Sequence, residues 1–398
     1  MSHQPPALQT SWQRLRLHAD WLAIRIKERL NWLDQVDILA YRGHGTPTAL
    51  YLRGRVLEQK GITTATQTDP AWRNLLNMYR RFSSSAIPNA RVRARFGDQE
   101  LEACTDAHGF FHLTLVPEQP LAQQRVWHAI SLEVLEPRFE RQRTICTTGH
   151  VLVPPPGARF GVISDIDDTI VRTEATHLLR MLRLVLFSNA YTRLPFKGVA
   201  AFYRALQRGA SGEEYNPIFY VSSSPWNIYD LLIDFLNIHG LPLGPLLLRD
   251  WGAQRGRLTR MQHRQHKLEL IRTLLATYPH LPFLLIGDSG QEDPEIYRQI
   301  VVEAPERVRA IYIRDVSRGR RDHEVEALRA EVGARGVEML TMADTLAAAE
   351  YAAAQGLIAA DQLAAIRADT AKDATPLPPR AELAIALKGQ AGIAQRHP

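Results

Sequence analysis

The sequence predicts an α/β protein in which a parallel sheet follows an N-terminal region made of strands. Beyond residue 157, apolar strand-like segments alternate with helical segments, an order typical of βαβ units and parallel sheets. Before residue 154, short strand-like segments follow one another between turn residues, as in a small β-sandwich. The run Pro154-Pro155-Pro156-Gly157 marks the boundary between the two regions.

The composition is that of an ordinary globular protein. Of 398 residues, 45% are hydrophobic and 23% are charged, and this length predicts two or three domains. No apolar run reaches the roughly 18 residues that span a bilayer, so no integral membrane span is expected. Residues 1–13 lack the apolar core of a signal peptide, and two cysteines are too few for a disulfide framework. We therefore expect a cytoplasmic protein, and its net charge of +6 favours an anionic partner.

An amphipathic helix is predicted over residues 11–34, within an N-terminal segment that spans residues 1–35. Apolar residues recur there at helical spacing and alternate with arginines and a lysine. Basic residues and Trp12 suit an anionic membrane interface, which would make the protein peripheral at the membrane. The alternative, which we favour, is a helix packed on the rest of the protein with a solvated basic face.

Residues 36–153 form the predicted β domain. Strands are expected over residues 36–41, 51–56, 90–96, 110–116, 126–135 and 149–153. Gly43, Gly45 and Pro47 predict a turn between the first two strands, and Asp69-Pro70 predicts the start of a helix.

A basic ladder is predicted within this β domain. The segment 90–96 alternates apolar residues with Arg91, Arg93 and Arg95, so the three arginines share one face. This face is either an anion-binding ladder or, as we prefer, a solvated strand face.

The region 158–355 carries the predicted parallel sheet, and residues 356–398 form a helical extension and tail. Strands are expected over residues 160–164, 218–222, 246–248, 283–286 and 308–313. Helices are expected over residues 198–207, 225–239, 266–277, 294–304, 343–355 and 360–371.

Four polar clusters follow strands or open helices in this region. The first is Asp165-Ile166-Asp167-Asp168-Thr169, and the second is Ser222-Ser223-Ser224-Pro225. The third is Lys267 at the opening of a helix, and the fourth runs from Gly287-Asp288 to Asp293. Each alone is weak, since an Asp at a strand end is often a helix cap or a turn former. Together, in order, they indicate one site at the carboxyl edge of a parallel sheet.

These residue types suit phosphoryl transfer. Asp165 is the candidate nucleophile, which would form an aspartyl-phosphate, and Asp167 can protonate the leaving alkoxide and later activate water. Mg²⁺ is the expected cofactor, since a phosphate ester is anionic and must be neutralised near a carboxylate. The candidate metal residues are Asp165, Asp167, Asp288 and Asp293, although Asp293 could instead orient Lys267. Ser222, with the N–H groups after it, and Lys267 can hold and compensate phosphate oxygens.

The set resembles the haloacid dehalogenase superfamily of phosphatases, whose pattern is Asp-x-Asp-x-Thr, a Ser or Thr, a Lys and an acidic Gly-Asp loop. Within it, the motifs 164–170, 220–226, 248–252 and 287–293 look like the actin-patch-associated phosphatidate phosphatase family. Asp168 departs from the pattern, because many relatives have Gly there. The resemblance covers residues 36–355 and implies a Rossmann-like sheet of haloacid dehalogenase type.

The resemblance also implies an activity and further site residues. It predicts a Mg²⁺-dependent phosphatidate phosphatase, with Thr169, Ser223 and Arg249 binding substrate. The helical insert between Thr169 and Ile218 would either meet acyl chains or lie buried between domains. Two alternatives stay open: the same chemistry on a nucleic-acid end or a soluble phosphomonoester, and a peripheral binding module with secondary phosphatase activity. The lack of a basic-aromatic stacking platform argues against nucleic acid.

Overall fold

The structure of the protein is a computed structural model. It describes residues 22, 26, 35–59, 86–122, 125–137, 144–166, 197–249, 260–317, 320–342 and 344–374. Of the predicted N-terminal helix, only Leu22 and Ile26 are described, and both are helical and exposed. The predicted helix at Asp69-Pro70, the site residues Asp167 and Thr169, and the insert up to residue 196 lie outside the described residues.

Two compact units make up the chain, one ending at Val153 and the other continuing from Pro154. The first unit contains a single eight-stranded sheet. Its strands are β1 (Gln35–Ala40), β2 (Gly43–Thr46), β3 (Ala49–Gln59), β4 (Arg91–Phe96), β5 (Gln99–Cys104), β6 (Phe110–Leu115), β7 (Trp127–Glu136) and β8 (Cys146–Leu152). The strand order is β1-β3-β2-β8-β7-β4-β5, with β6 paired to β3. Hydrogen bonds join the strands of the predicted small sandwich into one sheet, and their buried side chains form one core.

The predicted turn is confirmed at Pro47, which lies in the turn between β2 and β3, but not at the two glycines, because Gly43–Thr46 is the strand β2. It pairs antiparallel with β3 and parallel with β8. Both glycines are needed for this pairing: a Cβ on Gly43 would lie 2.1 Å from the Tyr51 carbonyl oxygen, and one on Gly45 would lie 2.4 Å from that of Ala49. Glycine here permits close backbone approach within a strand rather than a turn.

The arginines of β4 are paired with glutamates on both neighbouring strands. Arg95 lies 2.6 Å from Glu100, Arg91 lies 2.9 Å from Glu136, and Arg93 lies 3.5 Å from Glu102. These pairs are exposed, so each stabilises the sheet only weakly. The solvated-face interpretation is therefore the better one, because the positive charge of the ladder is balanced within the sheet.

The second unit is built on a six-stranded sheet. Its strands are β9 (Gly161–Asp165), β10 (Ile218–Pro225), β11 (Leu246–Arg249), β12 (Phe283–Asp288), β13 (Val308–Arg314) and β14 (Met339–Met342). Neighbouring strands pair in parallel in the order β11-β10-β9-β12-β13-β14. The prediction of an α/β chain with a parallel sheet is thus confirmed, and β14 is an addition to it. The chain reverses direction across the sheet between β9 and β12, and ligands bind at such switch points in open α/β sheets.

Seven α-helices of this unit lie in the part of the chain that the structure describes. They are α1 (Val199–Arg208), α2 (Tyr229–Ile238), α3 (Arg260–Thr277), α4 (Asp293–Glu303), α5 (Asp322–Gly333), α6 (Thr345–Ala354) and α7 (Gln362–Ala374).

Two predicted helix starts need correction. The backbone stays extended through Pro225, and a short 3₁₀ helix over Trp226–Ile228 precedes α2, so the helix begins later than expected. In contrast, α3 begins at Arg260, which puts Lys267 inside the helix rather than at its opening.

His44 makes the first unit sensitive to acid. Its ring lies against Tyr51, tilted by 52° with 5.6 Å between centroids, and burial lowers the pKa of His44 from 6.5 to about 4. The unfolded chain therefore takes up a proton near pH 6.5, whereas the folded chain does so only near pH 4. The contribution of His44 to stability is present above pH 6.5 and is lost as the pH falls toward 4.

We predict that His44→Gln flattens the pH dependence of stability between pH 6.5 and 4. The measurement is urea unfolding of the full chain, followed by hydrogen exchange in β2 and β3. His150→Gln is the matched control, because His150 is an exposed residue of β8. Equal pH dependence in both variants and the wild type would contradict this assignment.

Candidate active site

Asp165 ends the central strand of the parallel sheet. All five residues of β9 are buried, and β9 lies between β10 and β12. The carboxylate of Asp165, its last residue, therefore lies in the interior. Asp165 is only 1% exposed. The Ser164 hydroxyl donates to the Asp165 carbonyl oxygen at 2.7 Å and lies 2.8 Å from the Tyr203 hydroxyl of α1. These two contacts of Ser164 hold the backbone at Asp165 in place.

Lys267 lies between two buried carboxylates. Its Nζ is 2.8 Å from Asp165 Oδ1 and also donates to Asp293 Oδ1. Burial alone would lower the pKa of Lys267, but the charges of the two aspartates and their hydrogen bonds outweigh it, so this pKa is raised well above its ordinary value. The lysine is therefore a fixed cation at neutral pH and not a proton donor.

The acidic loop from Asp288 to Asp293 connects β12 to α4. Asp288 Oδ1 accepts hydrogen bonds from the backbone N–H groups of Gly290 at 2.7 Å and Gln291 at 2.9 Å. Asp293 Oδ2 accepts from the N–H of Asp288 at 3.2 Å, so the loop closes on itself. Gly287 is required for this closure, because a Cβ there would lie 2.4 Å from Asp293 Oδ2.

Three buried carboxylates meet at this edge of the sheet. Oxygen atoms of Asp165, Asp288 and Asp293 all lie within 4.8 Å of one another. Lys267 supplies one positive charge against three negative ones, and buried charges are unfavourable unless they are compensated. A set of carboxylate oxygens with surplus negative charge is the donor set that a hard divalent cation such as Mg²⁺ prefers. The residues present therefore fit such an ion.

The serine cluster lies on the neighbouring strand β10. Val221 pairs with Asp165 in the sheet, so Ser222 lies one residue beyond the level of that carboxylate. Ser222 is buried, and its Oγ accepts a hydrogen bond from the N–H of Ser224 at 2.9 Å. Ser223 is partly buried. Further along the edge, Arg249 ends β11 opposite Pro225.

A clamp formed by the segment after β13 holds the acidic loop in place; we use this term for Asp315, Ser317 and Arg321. The Ser289 hydroxyl donates to Asp315 Oδ1 at 3.0 Å and accepts from the N–H of Ser317 at 3.1 Å. Arg321 donates to the carbonyl oxygens of Ser289, at 3.0 Å, and of Gln291, and it also forms an ion pair with Glu295 of α4. The loop is thus tied to the segment between β13 and α5, which is itself tied to α4 through Glu295.

Arg314 is a second cation near the acidic residues. It pairs with Asp288 in the register of β12 and β13, and its Nη2 donates to Thr345 Oγ1 at 3.2 Å. Burial lowers the pKa of Arg314 to about 10, while the neighbouring charges, that of Asp288 among them, act in the opposite direction.

The structure brings together four of the predicted site residues directly: Asp165, Lys267, Asp288 and Asp293. Ser222, Ser223 and Arg249 lie on the next two strands along the same edge. Asp167 and Thr169 lie outside the described residues. The sequence analysis missed the roles of Tyr203, Arg314 and the clamp. No local pattern marks these side chains, because each becomes relevant only through contacts across the sheet.

Fold and site first define a class: an α/β protein whose buried carboxylate–lysine centre lies at the switch point of a parallel sheet. Residues 160–315 match the family model described as "Phosphatidate phosphatase APP1, catalytic domain". The segment that carries the site is therefore similar to this catalytic domain.

Two curated proteins are similar to part of this chain. Phosphatidate phosphatase APP1 of Saccharomyces cerevisiae is 31% identical over 172 residues, which are 42% of this chain and 28% of the yeast protein. An uncharacterized protein of Schizosaccharomyces pombe is 26% identical over 158 residues, which are 39% of this chain and 25% of that protein. The chain thus spans between 25% and 28% of the length of these relatives.

Among solved structures, a carbohydrate acetylesterase from Xanthomonas citri is 12% identical, with a TM-score of 0.25, over 69% of this chain and 66% of that chain. A likeness at this level carries no argument about fold or function. No helix among the described residues is long and apolar enough to cross a membrane.

We predict that Arg321→Met loosens the acidic loop. Two loop carbonyl oxygens and Glu295 lose a charged donor, so the free energy of unfolding should fall by about 1–3 kcal/mol. Urea unfolding gives this value, and hydrogen exchange at the Gly290 and Gln291 amides should become faster. Arg329→Met is the matched control, because Arg329 pairs on the exposed face of α5 only with Glu326 among the described residues. Indistinguishable effects of the two variants would contradict the clamp.

Proposed function

We propose that the protein is a Mg²⁺-dependent phosphatase of the haloacid dehalogenase type, which hydrolyses phosphatidate or a related lipid phosphomonoester through an aspartyl-phosphate. Two findings support this proposal. The segment 160–315 matches the APP1 catalytic domain, and a relative named phosphatidate phosphatase is 31% identical over 172 residues of this chain. The same segment contains the buried cluster of Asp165, Lys267, Asp288 and Asp293.

The single observation that carries the proposal is the contact between Lys267 and Asp165 at 2.8 Å. A carboxylate that attacks an anionic phosphate must be held in one orientation and must have its charge offset. Lys267 does both, because it binds Asp165 Oδ1 and stays protonated. The second oxygen, Asp165 Oδ2, is the candidate attacking atom.

The proposed reaction has two steps. In the first, an Asp165 oxygen attacks phosphorus, the bond from phosphorus to the ester oxygen breaks, and the leaving alkoxide takes a proton from Asp167. In the second, Asp167 accepts a proton from water, which attacks the phosphorus of the aspartyl-phosphate. Inorganic phosphate leaves and the Asp165 carboxylate is regenerated.

Mg²⁺ would be held by the carboxylates of Asp165 and Asp288, with Asp167 completing the set. When bound, it would neutralise negative charge on the phosphate oxygens and on the carboxylates. Asp293 fits a different task. Its two oxygens accept from Lys267 and from the N–H of Asp288, so we assign it to orienting the lysine and closing the acidic loop.

Phosphate oxygens would be bound on the side of the serine cluster. Ser222 and the N–H groups that follow it lie on the strand next to Asp165, and Ser223 and Thr169 are further candidates. A lipid substrate also requires access to a bilayer surface. The less favoured of the two interpretations of the predicted helix over residues 11–34, a helix at the membrane interface, would supply that peripheral contact.

The experiment that tests the function is phosphate release from phosphatidate in mixed micelles. We expect release by the full chain that depends on added Mg²⁺ and stops with a chelator. Asp165→Asn should lower turnover more than about a thousandfold, since it removes a covalent catalyst. Circular dichroism should show an unchanged fold.

Asp361→Asn is the matched control, because Asp361 is exposed and precedes α7. Soluble phosphomonoesters and 5′-phosphorylated oligonucleotides form the comparison set. Hydrolysis of these without hydrolysis of phosphatidate would exclude a lipid substrate and favour the alternative. Turnover of Asp165→Asn within about tenfold of the wild type would exclude Asp165 as nucleophile.

A further inference from the structure

Two basic residues lie beside the acidic cluster on the same edge of the sheet. Arg249 is the last residue of β11 and pairs with Pro225, which follows the serine cluster directly. His263 belongs to α3, four residues before Lys267, and residues at this spacing share one face of a helix. The two residues thus come from different elements, each of which also borders the acidic cluster or the serines.

Arg249 and His263 are close enough to interact electrostatically. Burial is the main cause that lowers the pKa of His263, and the positive charges of Arg249, His266 and Lys267 lower it further. Among the described residues, the charges that shift the pKa of His263 are therefore all positive. Four basic side chains therefore lie near one another: the partly buried Arg249, His263 and His266, and the buried Lys267.

No carboxylate among the described residues offsets the positive charge of Arg249. Among the described residues, neither Arg249 nor His263 forms a hydrogen bond or an ion pair, and Arg249 Nε is buried. Burial lowers the pKa of Arg249, and no carboxylate in the described part of the chain opposes this effect. Lys267 differs, because Asp165 and Asp293 balance it.

An unbalanced, partly buried arginine is unfavourable unless something else compensates it. The arginines of the first unit show the ordinary alternative, since Arg91, Arg93 and Arg95 all have glutamate partners. A guanidinium group and an imidazole together supply planar and directional donors, which suit the oxygens of a phosphate group.

We propose that Arg249 and His263 form an oxyanion-binding subsite, which binds a phosphate group of the substrate beside the Asp165–Lys267 pair. The identity of the reacting ester rests on the proposed function. The bound oxyanion is either the reacting phosphate itself or a second phosphate attached to it in the same substrate.

The test compares the double variant Arg249→Gln/His263→Gln with the control Arg309→Gln/His280→Gln in the full chain. Arg309 and His280 are exposed. Titration calorimetry measures binding of inorganic phosphate and of pyrophosphate, and steady-state kinetics gives KM and kcat for phosphatidate. We expect affinity to fall roughly tenfold to a hundredfold and KM to rise accordingly, because two donors to an anion are lost. The control should match the wild type.

The comparison of phosphate with pyrophosphate shows which phosphate group of the substrate the subsite binds. If the double variant loses affinity equally for phosphate and pyrophosphate, the subsite binds the reacting group. If it loses affinity for pyrophosphate alone, the subsite binds a second phosphate. Arg249→Lys keeps the charge and should recover part of the affinity, which separates anion binding from damage to the fold.

Two results separate this inference from the proposed function. If phosphatidate is hydrolysed and the double variant keeps wild-type KM and anion affinity, the subsite is wrong and the function stands. If no phosphomonoester is hydrolysed but anion affinity still depends on Arg249 and His263, the subsite stands and the function fails.

Discussion

The ammonium group of Lys267 between Asp165 and Asp293 is the interaction on which the rest of the site depends. Charges buried this deeply are tolerated only when opposite charges and hydrogen bonds surround them. The two aspartates come from β9 and α4 and the lysine from α3, so satisfying one cation fixes three elements against one another. The sheet order makes this meeting feasible, because β9 and β12 are neighbours although residues 166–282 separate them in the chain. The acidic centre is therefore a consequence of topology as much as of residue type.

Charge is distributed unequally around this centre. On one side, carboxylates outnumber cations, and backbone N–H groups together with the clamp hold the acidic loop before any ligand arrives. On the other side, the charge of Arg249 is uncompensated within the described residues, and His263 adds an imidazole whose pKa is lowered. The acidic side suits a divalent cation, and the side of Arg249 suits an anion. A phosphate ester with its metal ion requires this arrangement. Such preorganised charges lower a barrier because they need not rearrange during reaction.

Much of the second unit could be predicted from its sequence, since five buried strands read as apolar runs that end in polar clusters. The misses have physical causes. Strand β5 was not predicted because its residues are mostly exposed and two of them are glutamates, and β2 was not predicted because its glycines serve strand packing. The start of α3 was placed too late, since Arg260–Gln265 shows no apolar periodicity. Arg321 could not be found at all, because its role depends on a contact with a loop 30 residues earlier. The substrate was inferred from family resemblance, as no local pattern encodes it.

The central claim is that Lys267 couples the two carboxylates, and a double-mutant cycle measures this directly. Urea unfolding of the second unit, with a chelator present, would compare Lys267→Met, Asp293→Asn and the double variant. We expect Lys267→Met alone to cost about 3–5 kcal/mol, because it leaves buried carboxylates without their cation. Asp293→Asn should then relieve part of that cost, so that the double variant loses at least about 1 kcal/mol less than the sum of the single changes. Costs that add to within about 0.5 kcal/mol would contradict the coupling and, with it, this account of the site.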